Sequence, residues 1–463
     1  MNQYYSRMRE IGKDRYLLFT CIAALAYIGV FSLFSFQKHL SYHSGMDLAI
    51  YEQLLWTTIH HSTLFYNTIE GMESFGVHFS PILFTLIPFY ALFPETNTLL
   101  LIQSVLLGLG AVPLYFLARE LLNAKAGCII ALCYLMYPAL HGVNLTDFHI
   151  ICFVPVFFFS AFYYIQKENF SHFLLFAVLL ICVREDLIPV VILLALYAAW
   201  VMKKKQQNFK PYLIVAAATA IWFLIVMLVI MPSYLPAGHA EEITHMSRYQ
   251  GTMEGLSKNN TYRITHIFLL FGPILFLPFL SPGALLTGLS AFLEIFISPS
   301  PFYYSIEYQY SALIIPSIFV ATVITLAKVK QSPNIKISRL WYYLVLTLLL
   351  AGMVSMVFFS PSPIRSGPFA DPYNPTVTSH HQLLDKILAA VPTESAIGSQ
   401  DDLLPHLSKR DRLYRGFNTQ ADFIIADNQT KFIDIFSNSA DELTTWPVIF
   451  SEGGITVFRH PDA

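Results

Sequence analysis

Apolar residues run along this chain in blocks of about 20, the length a helix needs to cross roughly 30 Å of hydrocarbon. Blocks at 16–36, 98–118, 126–140, 150–165, 212–231, 310–327 and 340–359 read as membrane spans. Residues 172–182 and 187–201 read as a pair of short helices, and 266–280 with 283–297 as a hairpin. The piece 78–94 is interrupted by Pro81 and Pro88, which favours a helix lying at the outer surface or dipping into it. The pattern predicts an α-helical polytopic membrane protein with about 11 transmembrane helices, taking roughly one block per span.

Beyond residue 359 the pattern changes. Residues 360–376 are proline-rich and read as a linker between a membrane domain (1–359) and a C-terminal domain (377–463). In the latter, 378–391 has helical spacing, while 396–398, 423–426 and 448–450 are short apolar runs. Gly453-Gly454 between two apolar runs reads as a hairpin turn. A small α/β domain follows.

Composition sharpens this picture. The chain is 55% hydrophobic and only 13% charged, against about 25% charged in a soluble domain. Net charge is −2, so the placement of charge carries more than its sum. Basic residues gather before 16–36 (Arg7, Arg9, Lys13, Arg15) and again at Arg119 and Lys125, at Lys167, at Lys203–Lys205 and Lys210, and at Lys328, Lys330, Lys336 and Arg339. Since Lys and Arg collect on the cytoplasmic side of short loops, the N-terminus is expected inside. The stretch 44–80 and the C-terminal domain are then extracytoplasmic, and the protein is multi-pass in the plasma membrane. The block 16–36 exceeds a signal-peptide core and reads as an uncleaved anchor. All five cysteines lie inside apolar blocks, so neither a disulfide framework nor a CxxC metal site is indicated. No phosphate-binding glycine loop, dinucleotide fingerprint or HExxH occurs, and nothing points to a nucleic acid.

Ionisable residues at membrane depth are expensive and usually functional. In this topology they collect on the outer side: Asp47, Glu52 and His78 in the first outer loop, Asp147 and His149 in the second, Arg184-Glu185-Asp186 where two short helices meet, Glu294 in the hairpin, and Tyr304 and Glu307 in the loop 298–309. Each has a plainer reading. Asp47 can be a helix cap, Glu52 a solvated face residue, Asp147 a cap for the span that follows, and the Arg-Glu-Asp run an internally compensated turn. The carboxylate and imidazole of Asp147 and His149, with His78, can also ligate a divalent metal such as Mg or Mn. Arg184 suits a phosphate, which a guanidinium binds through paired hydrogen bonds.

The motifs GMDLAIYEQLLW, GVHFSPILF, LMYPALHGVNLTDFH, VREDL and LLPHLSKRDRLYRGF resemble those of a family of predicted prokaryotic polytopic membrane proteins, a domain-of-unknown-function family. A long first outer loop with an early aspartate, a surface-lying segment and a DFH-headed span resemble the GT-C superfamily, membrane glycosyltransferases that take sugars from polyprenyl-phosphate donors. That resemblance implies Asp47 as general base, a further catalytic acid at Asp147 and a basic contact at Arg184. The gathering of polar residues on the outer side adds Glu185 as a catalytic candidate and Glu52, His78, His149, Arg184, Asp186, Arg248, Tyr304 and Glu307 as candidate substrate contacts, with Arg248 or Arg263 beside Arg184 for the donor phosphate. The implied partners are the lipid bilayer, a polyprenyl-phosphate-linked sugar and an extracytoplasmic acceptor (lipid, glycan or protein). This chain departs from the superfamily in having a lone Asp47 where a pair of acids is usual, and in adding His78 and His149. A transporter or flippase of a lipid-linked or small polar substrate, and a non-catalytic assembly protein, are the readings from other classes.

Overall fold

A computed structural model describes residues 14–61, 63–235, 259–363 and 376–462. Its first helix, α1 (Arg15–Leu40), starts where Asp14 accepts hydrogen bonds from the backbone N–H groups of Tyr16 and Leu17. Arg119 and the Tyr115 hydroxyl hold the same carboxylate from a neighbouring helix, so this end of α1 is pinned to the bundle. At 26 residues α1 is about 39 Å long, which exceeds the hydrocarbon thickness.

Among the described residues five helices are long and apolar enough to cross a membrane: α1, Thr96–Leu121, Leu187–Lys204, Lys210–Ser233 and Ile335–Phe359. The pair Ala124–Leu135 and Pro138–Leu145, bent by 49°, counts as a sixth if it is one span. The remaining apolar blocks fold as shorter helices, Pro81–Leu92, Ile150–Gln166, Phe170–Ile181 and Pro282–Ile297. By length and composition the described helices thus account for five or six of the about eleven spans expected. Proline is the physical reason in several blocks, because it cannot donate to the helical ladder. Pro273 and Pro278 lie in short 3₁₀ turns flanking Leu275 and Phe276, both left-handed at φ 56 and 54. Such backbone is tolerated at membrane depth where other protein covers it. The piece expected to lie at the surface is a 3₁₀ turn, Pro81–Thr85, and a helix of 6 residues, Ile87–Leu92. It leaves Phe84, Phe89, Leu92 and Phe93 exposed.

Between α1 and this piece lies α2 (Met46–His61), then a minimal hairpin of β1 (Tyr66–Asn67) and β2 (Met72–Glu73). The C-terminal part contributes a helix, α3 (Ser379–Ala390), and a five-stranded sheet. Its strands are β3 (Ile397–Ser399), β4 (Leu413–Arg415), β5 (Phe423–Asp427), β6 (Val448–Glu452) and β7 (Ile455–Arg459), in the order β4-β3-β5-β7-β6. The pairs β3–β4 and β3–β5 are parallel, while β5–β7 and β6–β7 are antiparallel. Gly453 and Gly454, both at positive φ, make the β6–β7 turn that an L side chain would strain.

This sheet sits on the stretch 44–80. Gln53 in α2 donates to the Arg410 carbonyl (2.9 Å), and Thr68 exchanges hydrogen bonds with the backbone of Leu413. The His406 ring stacks against His39 and Tyr42, and the Tyr42 hydroxyl donates to Asp385 (2.6 Å). Tyr42 and Ala49 belong to the same apolar core as Leu384, Ile397, Leu413 and Val457. That stretch and the sheet thus pack as one body, with polar space left between them and the helices.

Candidate active site

The first turn of α2 is the meeting point. Asp47 lies inside the helix, not before it, where the free backbone N–H groups of a helix start favour a carboxylate. From the loop after Pro138–Leu145, Asp147 reaches the same helix start and accepts the Gly45 N–H at 2.7 Å. A Cβ on Gly45 would come within 2.9 Å of the Asp147 carboxylate, so any larger residue there must displace that side chain. Lys38, at the end of α1, completes the set by donating to the Leu145 carbonyl (2.8 Å) and approaching Asp147 at 3.4 Å.

His149 Nε2 stands 3.0 Å from Asp47 Oδ2, and its Nδ1 is 2.6 Å from the carbonyl of Asp147. A carbonyl only accepts, so Nδ1 carries a proton. Desolvation pushes the Asp47 carboxyl up, but the His149 hydrogen bond and the charges of His149, His78 and Arg415 outweigh it and hold the group below the usual range. The Asp47 side chain is 45% exposed while that of His149 is 7% exposed. The histidine is the buried brace, and the aspartate faces open space.

That space has two compartments. A cavity of about 290 Å³ is lined by Asp47, His78, His149, Arg184, Glu294, Glu70 and Tyr310. A larger one, about 1000 Å³, runs toward the sheet and is lined by Asp47, Asp147, Lys38, Glu307, His380 and Asp402 among others. Asp47 belongs to both walls. These volumes span the usual range for small-molecule sites.

The other singled-out residues divide. His78 and Arg184 line the smaller cavity with Asp47 and His149. Glu185 lines neither; it is buried and holds His78 Nδ1 (2.8 Å) and the Phe79 N–H (2.8 Å). Asp186 is clasped by Arg184, whose other carboxylate neighbour, Glu294, is at 3.8 Å. Glu307 lines the larger cavity. Tyr304 is buried beneath Arg263, with 4.4 Å from guanidinium to ring centre, and Arg263 is spent on the carbonyls of Phe296 and Ser298. Glu52 is wholly buried away from both cavities; it accepts from Tyr90, Thr96 and Ser408. Arg248 lies outside the described residues.

A metal held by His78, Asp147 and His149 does not fit this geometry. Both ring nitrogens of His149 are taken, Nδ1 by the Asp147 carbonyl and Nε2 by Asp47, and the Asp147 carboxylate is held by the Gly45 N–H and Lys38. Among the described residues no group of three His, Cys, Asp or Glu side chains is placed to hold an ion.

Three contributors escaped the sequence reading. Gln103, buried in Thr96–Leu121, accepts the His149 N–H (2.9 Å) and aims its amide at the carbonyls of Asn144 (3.0 Å) and Thr146 (3.1 Å). Lys38 had a signal, being a cation at the end of α1 where the charge rule places none. Asp402 had no signal, lying in a polar run.

Comparison with solved structures agrees with this architecture. ArnT from Cupriavidus metallidurans bound to undecaprenyl phosphate is similar at TM-score 0.55 and 10% identity, over 94% of this chain and 98% of that one. Its apo form gives 0.53 and 10%, over 95% and 98%. The Archaeoglobus fulgidus oligosaccharyltransferase complexed with Zn and sulfate gives 0.48 and 12%, over 94% and 73%. The protein is a membrane protein with the fold of the GT-C glycosyltransferases. Residues 38–446 match the family described as "Predicted membrane protein (DUF2079)", and the chain belongs to that family. No curated protein matches its sequence.

Proposed function

We propose that this protein is a membrane glycosyltransferase that moves a sugar from a polyprenyl-phosphate donor to a hydroxyl of an extracytoplasmic acceptor, with Asp47 as general base. The observation that carries the reading is the position of Asp47 in the wall shared by two cavities, its carboxylate braced by His149. The smaller cavity takes the donor head, because Arg184 and His78 line it. Glu294, at 3.8 Å the loosest partner of Arg184, is the group a phosphate displaces. The larger cavity takes the acceptor.

In the transfer step the acceptor oxygen forms a bond to the anomeric carbon while its proton passes to the Asp47 carboxylate. The bond from that carbon to the phosphate oxygen breaks, and its electron pair leaves on the lipid phosphate. That phosphate departs as a stable anion, so proton donation to it is not required. His149 holds Oδ2 and leaves Oδ1 toward the acceptor. In this reading the enzyme resides in the plasma membrane with its N-terminus cytoplasmic. Residues 377–463 form an extracytoplasmic domain joined through 360–376 to the membrane domain 1–359.

The test is transfer from labelled polyprenyl-phosphate sugars by the purified chain. Removing a general base typically costs about 10²–10⁴ in rate. Asp47→Asn should lose that much while its yield and melting temperature stay as in the wild type. Full transfer by this variant would remove Asp47 from the mechanism.

A further inference from the structure

The end of the larger cavity formed by the sheet has a feature the transfer step does not use. Asp402 is fully buried and borders the cavity, yet neither of its carboxylate oxygens has a hydrogen bond of good geometry among the described residues, its contacts with Thr430 and Gln400 being looser. A buried carboxylate so weakly satisfied is costly, and native proteins keep few of them. Burial raises its carboxyl to about 6, against a lesser lowering by Thr430 and Gln400. Gln400 is engaged elsewhere: its amide donates to the Asp427 carbonyl and to Thr430 Oγ1, and its oxygen accepts the Asp427 N–H.

The topology independently marks this place. Asp402 follows β3, and Asp427 ends β5, so both stand at the carboxyl ends of adjacent parallel strands. From β3 the chain goes to β4 on one side, while beyond β5 it continues to strands on the other. Ligands of open α/β sheets bind in the crevice where connections diverge in this way. Asp427 there accepts from Gln429 N–H and pairs with His380 at 2.8 Å.

Charge decides what kind of ligand fits. Among the described residues five carboxylates line the larger cavity, Asp47, Asp147, Glu307, Asp402 and Asp427, against Lys38 as the single Lys or Arg. A phosphate or carboxylate ligand is repelled there. A neutral ligand rich in hydroxyl donors is not, and two adjacent hydroxyls match the two oxygens of one carboxylate.

We propose that Asp402, beside Asp427 and His380, is a recognition subsite for a neutral, polyhydroxylated acceptor, a glycan whose paired hydroxyls donate to the Asp402 carboxylate. That the bound glycan is an acceptor rests on the glycosyl-transfer reading; that the subsite binds hydroxylated sugar does not.

The experiment therefore measures binding without any donor, so it stands whether or not transfer is ever detected. The full chain in nanodiscs is probed by saturation-transfer NMR at neutral pH with maltose, lactose, cellobiose, mannobiose and chitobiose, and with glucosamine and glucose 6-phosphate. At least one neutral disaccharide should give a signal in the wild type that falls at least fivefold in Asp402→Asn, with the melting temperature of the variant equal or higher. A residue kept only for structure would lower that temperature instead. The proposal is overturned if no neutral disaccharide binds, if the signals survive Asp402→Asn, or if only glucosamine or glucose 6-phosphate binds. Should the variant not fold, amide exchange in the wild type decides. The disaccharide must slow residues 400–404 and 427–430, and unchanged exchange there refutes the subsite.

Discussion

Two separated parts of the chain meet at Asp47, its own helix start and the loop carrying Asp147 and His149, with open cavity on either side. The hydrogen bond and charge of His149 are what keep the carboxyl below its ordinary range. His149→Ala removes both and leaves desolvation opposed only by the lesser charges of His78 and Arg415, so the Asp47 pKa must rise. A base works only when ionised, and the acid limb of the kcat/KM profile should therefore move to higher pH. A rate loss with an unmoved limb would show that His149 does not act through Asp47. Asp402 has the opposite sign. Its carboxyl is raised from 3.8 to about 6, which at 1.36 kcal/mol per unit corresponds to about 3 kcal/mol of destabilisation at neutral pH. That destabilisation is absent below the unfolded value and grows as pH rises toward 6. The melting-temperature advantage of Asp402→Asn over wild type should therefore be present at pH 7.5 and vanish near pH 4; an equal difference at both would contradict the assignment.

At the scale of elements, the sequence was legible where burial or charge leaves a period and illegible where a neutral group does the positioning. The apolar blocks announced helices, and the charges interrupting them announced Asp47, His78, His149 and Arg184, because a charge beside hydrocarbon stands out. Their number as spans was not legible, since Pro88, Pro273 and Pro278 cut blocks whose hydropathy alone looks continuous. Gln103 was invisible for a related reason: one uncharged amide in an apolar helix changes the hydropathy little. Its effect is nonetheless large, because it ties the helix to the loop that carries His149. Gln103→Leu keeps the helix and removes that tie. We expect transfer to fall about 10–100-fold, the scale at which misplaced catalytic groups act, mainly in kcat. The same fall appearing only in KM would assign Gln103 to binding.

The whole molecule depends on how the sheet is held against the helices, and here Glu52 turns from a candidate ligand into a clasp. Its carboxylate gathers the hydroxyls of Tyr90, Thr96 and Ser408, from the short apolar helix, the start of Thr96–Leu121 and the C-terminal part respectively. All are buried, and while Ser408 keeps the Pro405 carbonyl, truncation leaves the Tyr90 and Thr96 hydroxyls unsatisfied, each of which costs about 1–3 kcal/mol. Burial also raises the Glu52 carboxyl, which makes an amide a tolerable substitute where an alanine is not. Glu52→Ala should lower the melting temperature by several degrees and open Lys409, Arg410 and Arg412 to trypsin. Glu52→Gln should stay near wild type in both. A substrate ligand would behave differently, raising KM in the glutamine variant with no change in protease pattern. Because the larger cavity lies between the sheet and the helices, loosening this clasp should weaken acceptor use before donor binding. That order of loss is measurable in the alanine variant by titrating acceptor and donor separately. Equal loss of both would mean that the two cavities do not take the separate substrates assigned to them.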